Sequence, residues 1–136
     1  PPGEPALEPL SRRLDVLIVD DNAVNRTVAA IQLQKLGATT ATASDGAQAL
    51  LQLEARAFDL VLMDRHMPGL DGLEVTRRWR AREGADEHLT IIGVTASAMP
   101  EDLAACRAAG MDDVVTKPLP LEGLRALVQR VCDQAP

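Results

Sequence analysis

Aromatic residues are almost absent from this 136-residue chain, which has one Phe, one Trp and no Tyr. The core must therefore be built from aliphatic side chains, and a surface that stacks single-stranded nucleic acid bases on rings is not expected. Basic runs are missing too, and the net charge is −6. This charge argues against a surface that binds the phosphate backbone of a nucleic acid or an anionic membrane.

Cysteines and long hydrophobic runs are also scarce. The two cysteines, Cys106 and Cys132, lack the close spacing of a metal or redox pair. We interpret them as small thiols in a reducing compartment. No stretch approaches the roughly 20 apolar residues of a membrane-spanning helix, and there is no signal-peptide pattern. We therefore expect a cytoplasmic domain.

The first residues of the chain differ in composition from the rest. The segment PPGEPALEPLSRR, residues 1–13, contains four prolines and no hydrophobic period. This composition is typical of an extended linker, and a linker implies a further domain on its far side. We expect that the chain was cut from a longer protein whose missing part is N-terminal. Residues 14–134 then have the length of one domain.

Short apolar runs alternate with helical patterns along this predicted domain. Strands are predicted at 14–19, 38–43, 59–63, 89–94 and 113–116. Helices are predicted at 23–36, 46–56, 71–82, 100–109 and 120–133. The alternation predicts an α/β fold in which a doubly wound, five-stranded parallel sheet has helices on both faces.

Reactive side chains stand at the carboxyl ends of four of the predicted strands. In a parallel α/β sheet the functional crevice lies beyond these ends. The residues concerned are Asp20 and Asp21 after the first strand, Asp64 at the third, Thr95 at the fourth and Lys117 at the fifth. Each alone has an ordinary alternative as a helix cap, a strand residue or a solvated cation. Together they indicate a reactive site.

The three carboxylates predict a metal ion. Acids so close together repel one another and stay ionised only if a cation lies among them. Mg²⁺ suits a site that has few protein carboxylates and also receives a phosphate. A carboxylate such as Asp64 can attack phosphorus and become an aspartyl phosphate. The metal and Lys117 would then spread the charge of the transferred group, while Thr95 donates a hydrogen bond to it.

Six motifs occur in order along the chain: LIVDDNAVN, ASDGAQAL, DLVLMDRHMPGLDG, VTASAMPED, AGMDD and TKPL. With this order and spacing, residues 14–133 resemble the receiver domain of two-component signalling, most closely the receivers of hybrid sensor histidine kinases. The resemblance implies a flavodoxin-like (βα)5 fold with strand order 2-1-3-4-5. It also implies Mg²⁺ dependence and phosphorylation of Asp64 by a phosphohistidine donor.

The resemblance carries roles for individual residues. The metal would be bound directly by Asp21, Asp64 and the backbone carbonyl of His66, and largely through water by Asp20. The phosphoryl oxygens would be held by Thr95, Lys117 and backbone N–H groups near His66 and Ala96. His66 and Ser97 lie two residues beyond Asp64 and Thr95, at positions that tune how readily water reaches the phosphoryl group. An ordinary loop imidazole is the alternative for His66.

Two further features bear on partners. Val114 stands where receivers usually carry an aromatic ring that swings inward with the threonine, so the aromatic half of that switch is missing and relay is favoured over output control. The predicted first helix has an apolar arc wider than one sheet face should cover. Either the helix is well buried, or Val24 and Val28 dock a histidine phosphotransfer bundle, as in related receivers.

We therefore expect a phosphorelay receiver that takes a phosphoryl group onto Asp64 and passes it to a histidine phosphotransfer partner. The donor would be a histidine kinase core, on the same polypeptide and N-terminal to the linker, which would make this the cytoplasmic part of a sensor. The domain would promote its own phosphorylation without turning over an external substrate.

One alternative is an interaction module that regulates a neighbouring kinase or output domain by contact. Control of a DNA-binding output domain is another, against which the N-terminal linker and the lack of a C-terminal extension argue. A nucleotide-binding enzyme is poorly supported because no glycine-rich phosphate motif is present.

Overall fold

The computed structural model describes residues 13–97, 99–117 and 121–134, so residues 1–12 of the predicted linker lie outside the described part. The strands are β1 (Asp15–Val19), β2 (Thr39–Ala43), β3 (Leu60–Asp64), β4 (Thr90–Thr95) and β5 (Asp113–Thr116). The helices are α1 (Ala23–Lys35), α2 (Gly46–Ala55), α3 (Gly72–Arg82), α4 (Pro100–Ala109) and α5 (Leu121–Gln134). Each predicted boundary agrees within one residue.

All neighbouring strands are parallel, in the order β2-β1-β3-β4-β5. The predicted doubly wound α/β fold and its strand order are confirmed. This order places β1 and β3 side by side at the centre of the sheet, with β4 and β5 following β3. The carboxyl ends of these strands therefore share one edge.

Local capping explains where the helices begin. The side chain of Asn22 accepts hydrogen bonds from the first backbone N–H groups of α1, and Asp45 and Asp71 do the same for α2 and α3. Such caps satisfy backbone donors that have no partner within the helix. Helix α4 begins with Pro100 and ends at Gly110, whose φ of 112° is in the left-handed region.

The core has two halves, one on each face of the sheet. Alternating residues of β1 divide between them: Val16 and Ile18 pack towards α1 and α5, while Leu17 and Val19 pack towards α2, α3 and α4. Strand β3 is buried along its whole length, as expected for a strand covered on both faces. No helix within the described residues is long and apolar enough to cross a membrane.

Candidate functional site

Three carboxylates converge where β1 and β3 end. Asp20 and Asp21 follow β1, Asp64 is the last residue of β3, and one oxygen of each lies within 4.8 Å of the other two. Asp20 and Asp64 are only 7% and 4% exposed, whereas Asp21 is exposed. The cluster is therefore half inside the protein and open to solvent on the side of Asp21.

Lys117, which follows β5, is the cation of this cluster. Its Nζ lies 3.1 Å from Asp64 Oδ1 and 3.3 Å from Asp20 Oδ2. Burial acts to lower the pKa of Lys117, but the hydrogen bond and charge of Asp64, together with Asp20, outweigh it and raise that pKa. The ammonium therefore stays charged.

The positive charge of Lys117 does not fully compensate the negative charge of the buried Asp64. Burial raises the pKa of its carboxyl group, and the hydrogen bond and charge of Lys117 offset that effect only in part. The nearby charge of Asp20 raises the pKa further. With one ammonium facing three carboxylates, the arrangement has room, in charge and in ligand chemistry, for a hard cation that binds oxygen.

The chain around Asp64 is held by backbone contacts. Asp64 pairs in register with Val94 of β4, and the N–H of Arg65 donates to the Val94 carbonyl at 3.0 Å. Gly72 at the start of α3 packs against the same strand end, because a Cβ there would lie 2.2 Å from the Asp64 carbonyl oxygen. Only glycine allows this close approach. The position of Asp64 is thus fixed by the sheet and by α3.

The groups that were predicted to bind phosphoryl oxygens lie at the same edge. Thr95 is 1% exposed, and its Oγ1 accepts a hydrogen bond from the N–H of Ser97 at 3.2 Å. The Lys117 N–H donates to the Thr95 carbonyl at 2.8 Å, which ties the ends of β4 and β5 together. Ala96 lies between Thr95 and Ser97 and is exposed.

His66 faces solvent two residues beyond Asp64. Its N–H lies 3.4 Å from Asp64 Oδ1, and its ring nitrogens lie 2.8 and 3.3 Å from an Nη of Arg65. Val114, at the position of the missing aromatic ring, is half-buried against the second half of the core. The structure therefore brings His66 to the acid cluster and leaves Val114 in the packing of the sheet.

The predicted docking residues lie beside this edge. Val24 and Val28 on α1 are 69% and 46% exposed, and Ile31 continues the stripe at 48%. Leu33 and Leu36 on the other side are fully buried. A groove of about 220 Å³ runs from Val28 to Asp20 and Lys117. The apolar arc of α1 thus has one buried part and one uncovered part.

Sequence reasoning missed one contact of the site. Arg65, directly after Asp64, lies 3.6 Å from the carboxylate of Asp102 on α4, which also accepts a hydrogen bond from Ser97 Oγ at 2.6 Å. The available signal was a charged residue directly after a buried acid. Its partner could not be read from the sequence, because the two residues meet only through the pairing of β3 with β4.

Comparison with known proteins agrees with the resemblance to receiver domains. The family model of the response regulator receiver domain matches residues 16–129. The chain is 41% identical over 110 residues to the sensor histidine kinase RcsC of Salmonella typhi, a match that covers 81% of the chain and 11% of that protein. It is 39% identical over 126 residues to the virulence sensor protein BvgS of Bordetella bronchiseptica, covering 90% of the chain and 10% of BvgS. The chain thus spans about a tenth of these curated relatives.

Solved structures share the fold. The receiver domain of the sensor histidine kinase PA1611 from Pseudomonas aeruginosa has a TM-score of 0.82 and 36% identity, covers 90% of the chain and all of that domain, and carries a magnesium ion in its active-site cleft. The chemotaxis protein CheY4 of Vibrio cholerae has a TM-score of 0.82 and 30% identity, covering 88% of this chain and 99% of CheY4.

Proposed function

The chain belongs to the response regulator receiver domain family, and on this premise we propose that it accepts a phosphoryl group on Asp64. One observation carries the proposal: Asp64 is a buried acid that contacts Lys117 at 3.1 Å and shares a 4.8 Å cluster with Asp20 and Asp21. A buried carboxylate with incomplete charge compensation is costly to keep for packing alone. A reactive role explains why it is there.

The residues present fit a magnesium ion. The donors are carboxylate oxygens, the ligands that Mg²⁺ prefers, and Asp21 faces solvent, from which the ion could keep waters. Asp21, Asp64 and the backbone carbonyl of His66 would hold the ion directly, with Asp20 largely through water. Bound there, Mg²⁺ would neutralise charge on the acids and on phosphoryl oxygens.

The chain's own groups would perform the transfer. An Asp64 oxygen attacks the phosphorus of a phosphohistidine, a P–O bond forms as the P–N bond breaks, and the electron pair of the broken bond stays on the imidazole nitrogen. The ammonium of Lys117 stabilises the charge that develops on the phosphoryl oxygens. The hydroxyl of Thr95 and the N–H of Ala96 donate hydrogen bonds to these oxygens. His66 and Ser97 then limit how readily water reaches the acyl phosphate.

The relatives bear on the donor of the phosphoryl group. RcsC is a sensor histidine kinase and BvgS is a virulence sensor protein, which supports a histidine kinase core on the same polypeptide as donor. We assign residues 14–134 to the receiver and residues 1–13 to the linker between the two, on the cytoplasmic side of a sensor. A histidine phosphotransfer domain would take the phosphoryl group onward, docking at Val24 and Val28 beside the groove.

An interaction module is the second candidate, in which the domain regulates a neighbouring kinase or output domain by contact. The observation that bears on it is Val114: a half-buried valine cannot repeat the inward movement of an aromatic ring, which argues against control of an output domain and leaves contact with a neighbouring kinase. Retention of the acids, Thr95 and Lys117 favours phosphoacceptance.

Intact mass distinguishes the two candidates. After incubation with a small acyl phosphate and Mg²⁺, the wild-type chain should gain the mass of one phosphoryl group, and Asp64→Asn should gain none, because the amide is not a comparable nucleophile. Asp71→Asn, which changes a helix cap outside the cluster, is the matched control and should gain the same mass as wild type. If neither wild type nor control gains mass, phosphoacceptance is wrong and the interaction module stands.

The docking surface has its own test. Val28→Glu should slow phosphoryl exchange with a phosphorylated histidine phosphotransfer domain by about tenfold or more, as expected for an anchor residue of an interface, while the reaction with the small acyl phosphate stays unchanged. The control is Leu51→Glu, which places the same charge at a 66% exposed leucine on α2. Equal rates for both variants would contradict docking on α1.

A further inference from the structure

The side chain of Arg65 is largely buried beside Asp64, next to the thiol of Cys106. Its side chain is 14% exposed, and its Nε is buried without a hydrogen-bond partner in the described part of the chain. Leaving a buried donor unpaired is unfavourable, more so for a charged group. An unsatisfied group of this kind in a native fold requires an explanation.

The guanidinium of Arg65 faces the carboxylate of Asp102, which binds the loop between β4 and α4. Asp102 lies 3.6 Å from Arg65, and its Oδ2 accepts the hydroxyl of Ser97 at 2.6 Å. Ser97 Oγ in turn accepts the N–H of Met99 at 3.3 Å. Met99 is the N-cap of α4 and makes no side-chain cap of its own. Asp102 and Ser97 therefore connect Arg65 to the start of α4.

The same chain of contacts reaches the hydroxyl of Thr95. The N–H of Ser97 donates to Thr95 Oγ1 at 3.2 Å, and Thr95 itself is 1% exposed. Because the Ser97 N–H occupies one lone pair of Oγ1, the hydroxyl proton of Thr95 points away from Ser97. Thr95 directly follows Val94, which pairs in register with Asp64. Contacts thus run from the residue after Asp64 to the hydroxyl at the neighbouring strand end.

We propose that Arg65 is a positioning residue for phosphoryl acceptance: through Asp102 and Ser97 it fixes the Thr95 hydroxyl in the orientation that donates to the incoming group. The inference rests on the proposed phosphoacceptor function. The contacts of Arg65 with Asp102, and of Asp102 with Ser97, would couple Asp64 to Thr95. This coupling would act in a domain where Val114 replaces the aromatic partner of that threonine.

The first test is a double-mutant cycle on the rate of phosphorylation by a small acyl phosphate with Mg²⁺. Arg65→Met and Asp102→Ala should each lower the maximal rate about tenfold, because the hydrogen bond from the Thr95 hydroxyl to the charged phosphoryl group would be lost. The half-saturating donor concentration should stay unchanged, because the lost contact acts in the transition state. The double variant should be no slower than Asp102→Ala alone, since both changes break one chain.

Conservative and distant variants separate positioning from general destabilisation. Arg65→Lys keeps the positive charge opposite Asp102, and its phosphorylation rate should stay within about threefold of wild type. Lysine lacks only the planar, forked geometry of the guanidinium. The control is Arg56→Met, which removes an ion pair of similar length on the exposed surface, Arg56 with Asp15 at 3.5 Å, and should react as wild type. Additive effects in the double variant, or equal slowing by Arg56→Met, would overturn the proposal.

A second readout needs no phosphate. In the unphosphorylated protein, hydrogen exchange at the Ser97 amide should become about tenfold faster in Arg65→Met, because its acceptor is no longer fixed, while amides of β1 keep their protection. Slowed phosphorylation with unchanged Ser97 exchange would show that Arg65 acts by another path and would overturn the inference. If wild type gains no phosphoryl mass, the proposed function fails, and the exchange data alone decide whether Arg65 fixes this loop.

Discussion

The two ends of the sheet each hold an ion cluster, and the clusters differ in how completely their charges are paired. At the amino ends of β4 and β5, Arg80 of α3 donates to Asp112 at 2.8 Å and to Glu83 at 2.8 Å. It also donates to the carbonyls of Gly110 at 2.9 Å and Leu89 at 2.7 Å. Each nitrogen of this guanidinium has an acceptor.

At the carboxyl ends the cluster is unbalanced. Lys117 is shared between Asp64 and Asp20, and Asp21 adds a third carboxylate that forms no ion pair within the described part of the chain. The Arg80 cluster has one cation for two carboxylates, and these carboxylates also accept the backbone N–H groups of Leu89 and Ile91, so it can serve the fold by itself. The Lys117 cluster has one cation for three carboxylates and would be stabilised further by another positive group.

The largest expected effect concerns Lys117, the cation that contacts both Asp20 and Asp64. Lys117→Met should lower the rate of phosphorylation by a small acyl phosphate about 10²–10³-fold, because an electrostatic contact to the transferring group is lost. The rate is followed by intact mass. Lys35→Met, which removes the charge of an exposed lysine at the end of α1, is the control and should react as wild type. A near-normal rate for Lys117→Met would remove the distinction between the two clusters.

The next effect concerns the Arg80 cluster. Arg80→Met should lower the free energy of unfolding by about 3 kcal/mol, because it leaves Glu83 and Asp112 without their shared cation. Chemical denaturation measures this change. Arg78→Met, on the exposed side of the same helix and paired with Glu74, should stay within about 0.5 kcal/mol of wild type.

In the folded fraction, Arg80→Met should still accept phosphate at the wild-type rate. Loss of that reaction in a folded Arg80→Met protein would contradict the assignment of this cluster to the fold alone.

The smallest effect concerns the missing positive charge. At a Mg²⁺ concentration ten times its dissociation constant, the free energy of unfolding of wild type should rise by about 1.4 kcal/mol, because the ion binds the folded state only. Thermal unfolding with and without a chelator measures the rise. It should shrink in Asp21→Asn, which removes the exposed carboxylate of the cluster, and persist in Arg78→Met. Equal rises in wild type and Asp21→Asn would exclude Asp21 as a ligand.

Strand and helix positions could be predicted from the sequence because each carries a local signal. The apolar run Leu60–Asp64 is typical of a strand buried on both faces, and Pro100 and Gly110 delimit α4 through backbone geometry that few other residues provide. The residues of the acid cluster could be selected for the same reason, since each directly follows a strand and the ends of parallel strands share an edge.

The charge pairing could not be predicted in this way. The neighbouring acids Asp20 and Asp21 differ completely in exposure, although nothing local in the sequence separates them. Arg65 and Arg80 find acceptors on α4 and before β5, at distant positions in the chain. A carboxylate or guanidinium can pair with many partners, and only the packing of strands and helices selects one.

The amino-acid sequence by itself therefore determined the alternation of strands and helices and delivered Asp64, Thr95 and Lys117 to one edge, because hydrophobic period and turn residues act over a few positions. The tertiary structure decided which acids are buried, which of them Lys117 contacts, and that Arg65 meets Asp102. Those outcomes depend on which elements become neighbours, since burial and ion pairing are set by distances in space rather than along the chain.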